Sequence, residues 1–443
     1  MIRSKKKKIA SILLSSALMA GILAGCSNKE EATSGGGGSK SKEKEKEKVT
    51  FLIDNQTQLD GINAIIDAFE KKSNIKVEIE TRPGGSEGDN IIKTRLATGD
   101  MTDLVWNNSG SQLQALNPEQ NFVDLSKEPF MENIMEDYKD AVSANEKVFG
   151  IPGTPTNAGG WLYNKKVYAE LGLSVPKTWD ELMANNEKIK QAGKTAVIGT
   201  YKDTWTSQVI VLADNYNVLA DDPNFADDFT ANKAKIATTP AALRSFEKLA
   251  EVYKKGYMNK DFLATGYDAG LKMLADGTGV QYPMITFALA NIAATSPDKM
   301  QDIGFFPQPS DSDDKNGLTV WMPAGIFINK NSEHIDAAKK FLEFYVSQEG
   351  IDLYTSKIKP TGPVAIKGIT LSDDVYPAVK DMQPYFESGK TAPALEFLSP
   401  VKGPSLEQIT TQVGSGISSA LDGAKLYDKD VEKQAKQLGL KGW

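Results

Sequence analysis

The chain has 443 residues, a quarter of them charged, with 51 basic against 58 acidic side chains and a formal net charge of −7. That balance argues against nucleic acid as a partner, because phosphate binding needs a basic face. A single cysteine and a single histidine exclude an intramolecular disulfide and any multi-cysteine or multi-histidine metal site. No cofactor and no metal-ligand set is expected, and the acidic cluster Asp221-Asp222 and Asp227-Asp228 reads as a solvated loop that leaves Ca²⁺ binding open.

Arg3 and Lys5 to Lys8 precede an apolar run from Ile9 to Ala24, sixteen residues long. A membrane-spanning helix needs about 20, so residues 1–25 read as a cleaved signal peptide. The run ends in Leu23-Ala24-Gly25-Cys26, which resembles a bacterial lipobox, and Cys26 is the one cysteine of the chain. Lipidation of Cys26 is therefore expected to anchor the protein to the extracellular face of the cell membrane without spanning it. Without residues 1–25 the chain keeps 46 basic against 58 acidic residues. Residues 26–48 carry four consecutive glycines and a Lys/Glu alternation with no large apolar side chain, the composition of a flexible tether.

From Val49 onward the chain is too long for one core, and two lobes are expected. Val49, Phe51 and Ile53 alternate as a strand, Ile62, Ile65, Ile66 and Phe69 fall at helical spacing, and Ile75, Val77 and Ile79 alternate again. Lys71-Lys72 near the end of that helix suit its dipole. Gly84-Gly85-Ser86-Glu87-Gly88 lacks the Lys-Ser/Thr ending of a phosphate loop and reads as a turn at a cleft rim. A helix over 91–97 and a strand over 103–106 complete a βαβαβ rhythm. Further helices are expected at 179–192, 240–255, 333–346 and 404–422. There is no internal repeat at solenoid periods, and the class is α/β.

Three segments carry a family resemblance: Ala97-Thr98-Gly99-Asp100-Met101-Thr102-Asp103-Leu104-Val105-Trp106; the run from Gly150 to Gly193 with Leu162-Tyr163-Asn164-Lys165 and Pro176-Lys177-Thr178-Trp179-Asp180-Glu181-Leu182; and Ala324-Gly325-Ile326-Phe327-Ile328 leading to Ala337-Ala338-Lys339-Lys340-Phe341-Leu342. Together they resemble the family 1 extracellular solute-binding proteins of bacterial carbohydrate ABC importers, the group that includes maltose-binding protein. The second segment is the most specific, and Thr102 stands where the family usually has proline. The resemblance implies a two-lobed periplasmic-binding-protein-like (type II) fold with a hinge and an interlobe cleft. The N-terminal lobe is placed at 49–155 plus 313–360 and the C-terminal lobe at 156–312 plus 361–443. It also implies an oligosaccharide ligand and the importer's membrane subunits as partners, with the protein a monomer.

A sugar presents C–H ring faces and a rim of hydroxyls, so its site needs flat aromatic surfaces beside amides and carboxylates. Trp106-Asn107-Asn108 follow a strand whose end lines the cleft in the family. Asn157 lies where maltose-binding protein places a sugar-binding carboxylate. Asp203, Trp205 and Gln208 belong to a segment that resembles the family's stacking-aromatic stretch. Tyr282 matches a position that often carries an aromatic, and Trp321 precedes the Ala324-Gly325 strand. Arg82 is placed to reach an anionic ligand. The Pro176–Leu182 run instead reads as a capped helix start with Trp179 packed inside. A tethered glycan-active enzyme would need a carboxylate pair that no spacing singles out, and a sensor subunit signalling to a membrane kinase would share this fold.

Overall fold

The computed structural model describes residues 47–369 and 374–443. The expected signal peptide, the lipidated Cys26 and the tether up to residue 46 lie outside the described residues. Lys48, expected in the tether, is the first residue of a strand.

The first part of the chain runs β1 (Lys48–Asp54), α1 (Asp60–Ser73), β2 (Lys76–Arg82), α2 (Gly85–Thr98), β3 (Leu104–Asn107) and β4 (Gly150–Pro152). It continues through β5 (Asn157–Asn164), α3 (Trp179–Gln191), β6 (Thr195–Val197), α4 (Pro240–Lys254), α5 (Tyr267–Asp276), β7 (Gly279–Ile285), α6 (Ala288–Thr295), β8 (Ile303–Pro307) and β9 (Leu318–Trp321). The rest runs β10 (Gly325–Ile328), α7 (Ile335–Tyr345), α8 (Gln348–Thr355), α9 (Pro377–Glu387), β11 (Thr391–Pro393), α10 (Leu406–Gly414) and α11 (Ala420–Gln437). Short helices, turns and a small two-stranded antiparallel sheet, Ser143–Ala144 with Lys147–Val148, connect these elements.

Two sheets organise two lobes. The first has the order β2-β1-β3-β10-β4. β1 is parallel to β2 and β3, with Phe51 opposite Leu104, and β10 runs antiparallel to β3, with Gly325 opposite Asn107. The second has the order β11-β9-β5-β7-β6, and β8 also pairs with β5. In α1 the buried residues Ile62, Ile65, Ile66 and Phe69 form one helical stripe facing the first core. Asn74, left-handed at φ 60, ends the helix by donating its N–H to Glu70 O. β5 is buried along its whole length. Its alternation sends Trp161 and Tyr163 into one core and Ala158 and Leu162 into another, as period-two side chains must. At the start of α3 the Thr178 hydroxyl accepts the Glu181 N–H at 3.3 Å and Glu181 accepts the Lys177 N–H at 2.7 Å. Trp179 is fully buried there.

The chain passes between the sheets at three neighbouring segments. Gly153 N–H donates to Ala324 O at 2.9 Å, and Thr156 N–H donates to Pro363 O at 2.7 Å. These bonds bind the crossings to one another.

Several expectations are corrected. β9, expected in the first lobe's 313–360 segment, pairs in the second sheet, with Trp321 opposite Asn157 and Val320 opposite Pro393. Residues 361–369, expected in the second lobe, stay with the first core, where Ile366 bridges Ile134. Apolar alternation has the same appearance in either sheet, and only the pairing partner decides. Gly84 to Gly88, expected as a turn, form the N-cap and first turn of α2. The helix expected over 404–422 is two helices, α10 and α11. The second starts afresh because Ser419 Oγ accepts the Asp422 N–H at 3.1 Å, a cap that a continuous helix would not leave free.

Candidate functional site

A cavity of about 480 Å³ opens between the sheets and is lined from both sides, a volume within the range of small-molecule sites. Trp106, Trp205 and Trp321 all border it.

Trp106 sits near the end of β3 and is 5% exposed. Its ring lies so close to Gly153 that a Cβ there would meet Cζ3 at 2.4 Å, so only glycine permits the approach. Asn108 borders the cavity as well. Asn107 does not. Strand alternation turns it to the opposite face, where it accepts from Arg82 Nη2 at 3.5 Å and donates to Asn108 O at 3.3 Å.

Trp321 ends β9 and lies against Gly159, where a Cβ would meet Cζ3 at 2.1 Å. Its Nε1–H donates to Glu396 Oε1 at 2.8 Å. The other Glu396 oxygen accepts from Lys402 Nζ at 2.7 Å, and all three residues border the cavity.

Trp205 belongs to the 3-10 turn Thr204–Gln208. Its ring centroid is 5.5 Å from Tyr267 and 5.9 Å from Phe287. Among the described residues its buried Nε1–H has no hydrogen-bond partner, nor do Arg82 Nε and Ser111 Oγ, and all three residues line the cavity. Buried polar atoms cost free energy unless paired. Gln208 lines the cavity beside Trp205.

Asn157 lines the cavity but works within the hinge. Its Nδ2 donates to Pro155 O at 3.0 Å and its Oδ1 accepts from Thr361 at 2.8 Å and Thr286 at 3.3 Å. The Arg82 guanidinium is buried at the cavity wall, donating to Pro83 O at 2.8 Å and Trp106 O at 3.3 Å, and lies 3.7 Å from Asp54. This arginine orders the wall, and its charge already faces a carboxylate. Burial raises the Asp54 carboxyl above its ordinary range, against the Gln56 N–H bond and Arg82, which lower it. Burial also raises Asp89, opposed by Arg82, Lys93 and Lys402.

Asp203 and Tyr282 lie outside the lining. Asp203 accepts the Tyr267 N–H at 2.7 Å and so caps α5. Tyr282 is 1% exposed, with its hydroxyl 2.7 Å from Thr200 Oγ1. It is a core residue of β7. Glu396, Lys402, Glu407, Phe287 and Asn291, which no sequence motif marks, line the cavity instead.

Two α/β lobes joined by three crossings around a cleft furnished with indole rings define a hinged ligand-capture protein. The chain belongs to the bacterial extracellular solute-binding protein family, whose model matches residues 54–351. It is 26% identical over 346 residues to a multiple sugar-binding protein of Streptococcus mutans, a match covering 73% of this chain and 76% of that one. Among solved structures it is similar to a chitin oligosaccharide binding protein, with a TM-score of 0.76 at 19% identity over 88% of this chain and 99% of that one. It is also similar to RafE in complex with raffinose, with a TM-score of 0.70 at 22% identity over 88% and 99% of the two chains. A sugar transporter from Bacillus licheniformis in complex with stachyose gives a TM-score of 0.71 at 17% identity over 87% and 100%. Among the described residues no helix is long and apolar enough to cross a membrane.

Proposed function

We propose that the protein captures an oligosaccharide in this cleft and delivers it to the membrane subunits of an ABC importer. The observation that carries the reading is the convergence of Trp106, Trp205 and Trp321 on one cavity whose wall also carries amide, carboxylate and ammonium groups. Indole faces match the C–H faces of sugar rings, and the polar groups match hydroxyls. The sugar-binding names of the relatives support the same class. In this reading the lobes comprise about 47–155 with 322–369, and about 156–321 with 374–443, and the saccharide shifts an open–closed equilibrium between them. The protein is lipid-anchored through Cys26 at the extracellular face of the membrane and acts as a monomer.

We infer binding without catalysis. Three of the four cavity carboxylates are engaged, Glu396 by Trp321 and Lys402, Glu407 by Ser86 N–H and Thr204, and Asp54 by Gln56 N–H beside Arg82; Asp89 is the fourth. A glycosidase needs two carboxyls that are available to acid–base or nucleophilic work.

Calorimetry with raffinose, stachyose and chitin oligosaccharides, beside amino acids and polyamines, tests the assignment. Heat from at least one saccharide and none from the others is expected. Heat confined to amino acids or polyamines overturns it.

A further inference from the structure

Glu396 and Lys402 lie in the connection between β11 and α10, outside every motif of the chain. Their side chains are 6% and 12% exposed, and their charged atoms are 2.7 Å apart. An ion pair this buried adds little to stability, because desolvation offsets the attraction, and neutral replacements of both partners are often tolerated. Its place on the cavity wall therefore points to a role in binding. The Trp321 indole is fixed from two sides, by Gly159 beneath its ring and by Glu396 at its Nε1–H. The only described hydrogen bond of Lys402 Nζ goes to Glu396, which leaves donor capacity on an ammonium with three N–H groups. The carboxylate likewise has acceptor positions beyond the two in use.

Resting on the saccharide reading above, we propose that Glu396 and Lys402 are a positioning and specificity-determining pair. Glu396 locks the plane of Trp321, and the pair offers an acceptor and a donor side by side to two neighbouring hydroxyls of the ring that Trp321 receives. The ligand class follows from the charges. An uncharged sugar with a vicinal diol satisfies both groups, a uronate meets the Glu396 carboxylate, and an amino sugar meets the Lys402 ammonium.

The test uses the full chain, with calorimetry against raffinose, stachyose and chitin oligosaccharides. It compares the wild type with Glu396→Gln and with the double variant Glu396→Gln/Lys402→Met, and records tryptophan emission without ligand. Glu396→Gln is expected to weaken the bound saccharide at least tenfold and to shift the ligand-free emission, because the indole loses its charged acceptor. The double variant removes both charges together, so it is expected to melt within a few degrees of wild type while binding at least tenfold more weakly. If the double variant binds as tightly as wild type, or if Glu396→Gln changes neither affinity nor emission, the pair has no such role. A wild-type chain that binds none of the saccharides sinks the functional reading, and the diol role falls with it.

Discussion

The Glu407 carboxylate accepts the backbone N–H of Ser86 at 2.8 Å and so caps α2 from the opposite wall of the cleft. The helix has no side-chain cap of its own, since its N-cap is Gly84. An anion at a helix N-terminus gains from both the unpaired N–H groups and the dipole. Thr204 donates to the other Glu407 oxygen, and Gln408 Nε2 donates to Ser86 Oγ at 3.1 Å. Of these, the two bonds made to Ser86 cross between the lobes and exist only while the lobes are together. Glu407→Ala should therefore open the ligand-free protein, seen as a larger radius of gyration in solution scattering. Saccharide affinity should fall about tenfold, for a charge-assisted bond of about 1.5–3 kcal/mol. Identical scattering curves for variant and wild type would remove the latch.

Trp205 separates binding from packing. Its Nε1–H has no hydrogen-bond partner among the described residues, and its ring rests on Tyr267 and Phe287. Trp205→Ala should weaken saccharide binding at least tenfold, by analogy with stacking platforms that contribute about 1–3 kcal/mol. Its melting temperature should fall less than that of Trp161→Ala, whose fully buried indole bonds Gln308 at 2.6 Å and whose loss costs about 3–5 kcal/mol. Equal melting losses would place Trp205 in the core.

Lys248 and Asp214 form an ion pair at 2.7 Å with side chains 2% and 1% exposed. Lys248 also donates to Pro309 O at 2.9 Å. Lys248→Met leaves Asp214 buried opposite no cation and should cost about 3–5 kcal/mol in denaturant unfolding. Lys248→Met/Asp214→Asn should recover most of that loss. A single variant as stable as wild type contradicts the assignment.

Asp103 staples the first lobe. Its Oδ2 accepts from Thr50 N–H and Oγ1, both at 2.7 Å, and its Oδ1 accepts from Ser332 at 2.6 Å. Burial alone would raise this carboxyl, but the bonds from Ser332 and Thr50 together outweigh it and hold it below its ordinary range. A depressed folded-state value means stability that is complete above the unfolded value of about 3.9 and is lost as pH falls through the folded value. Asp103→Asn should be less stable than wild type at pH 7, and the gap should narrow on acidification below about pH 4. A gap independent of pH would exclude the carboxylate as its cause.

Local pattern made part of this molecule legible. The stripe of α1, the alternation of β1 and β2, the Thr178 cap with Trp179 inside and the cleft-facing end of β3 at Trp106 all depend on neighbours within a few residues. Asn107 was misplaced by one step of strand alternation. Tyr282 was misplaced because an aromatic on a strand with both faces buried has the same local pattern as one facing a cleft.

Composition and periodicity by themselves determined an α/β chain of two lobes, because apolar spacing dictates which segments must bury a face and length dictates that one core is too few. Only the tertiary structure decided which sheet received β9, which tryptophans share one cavity, and that Glu396, Lys402 and Glu407 stand among them. Glu407 and Ser86 are separated by 321 positions, and a contact across that distance leaves no periodic trace in the chain. It arises from sheet pairing and hinge geometry, which are properties of the whole fold.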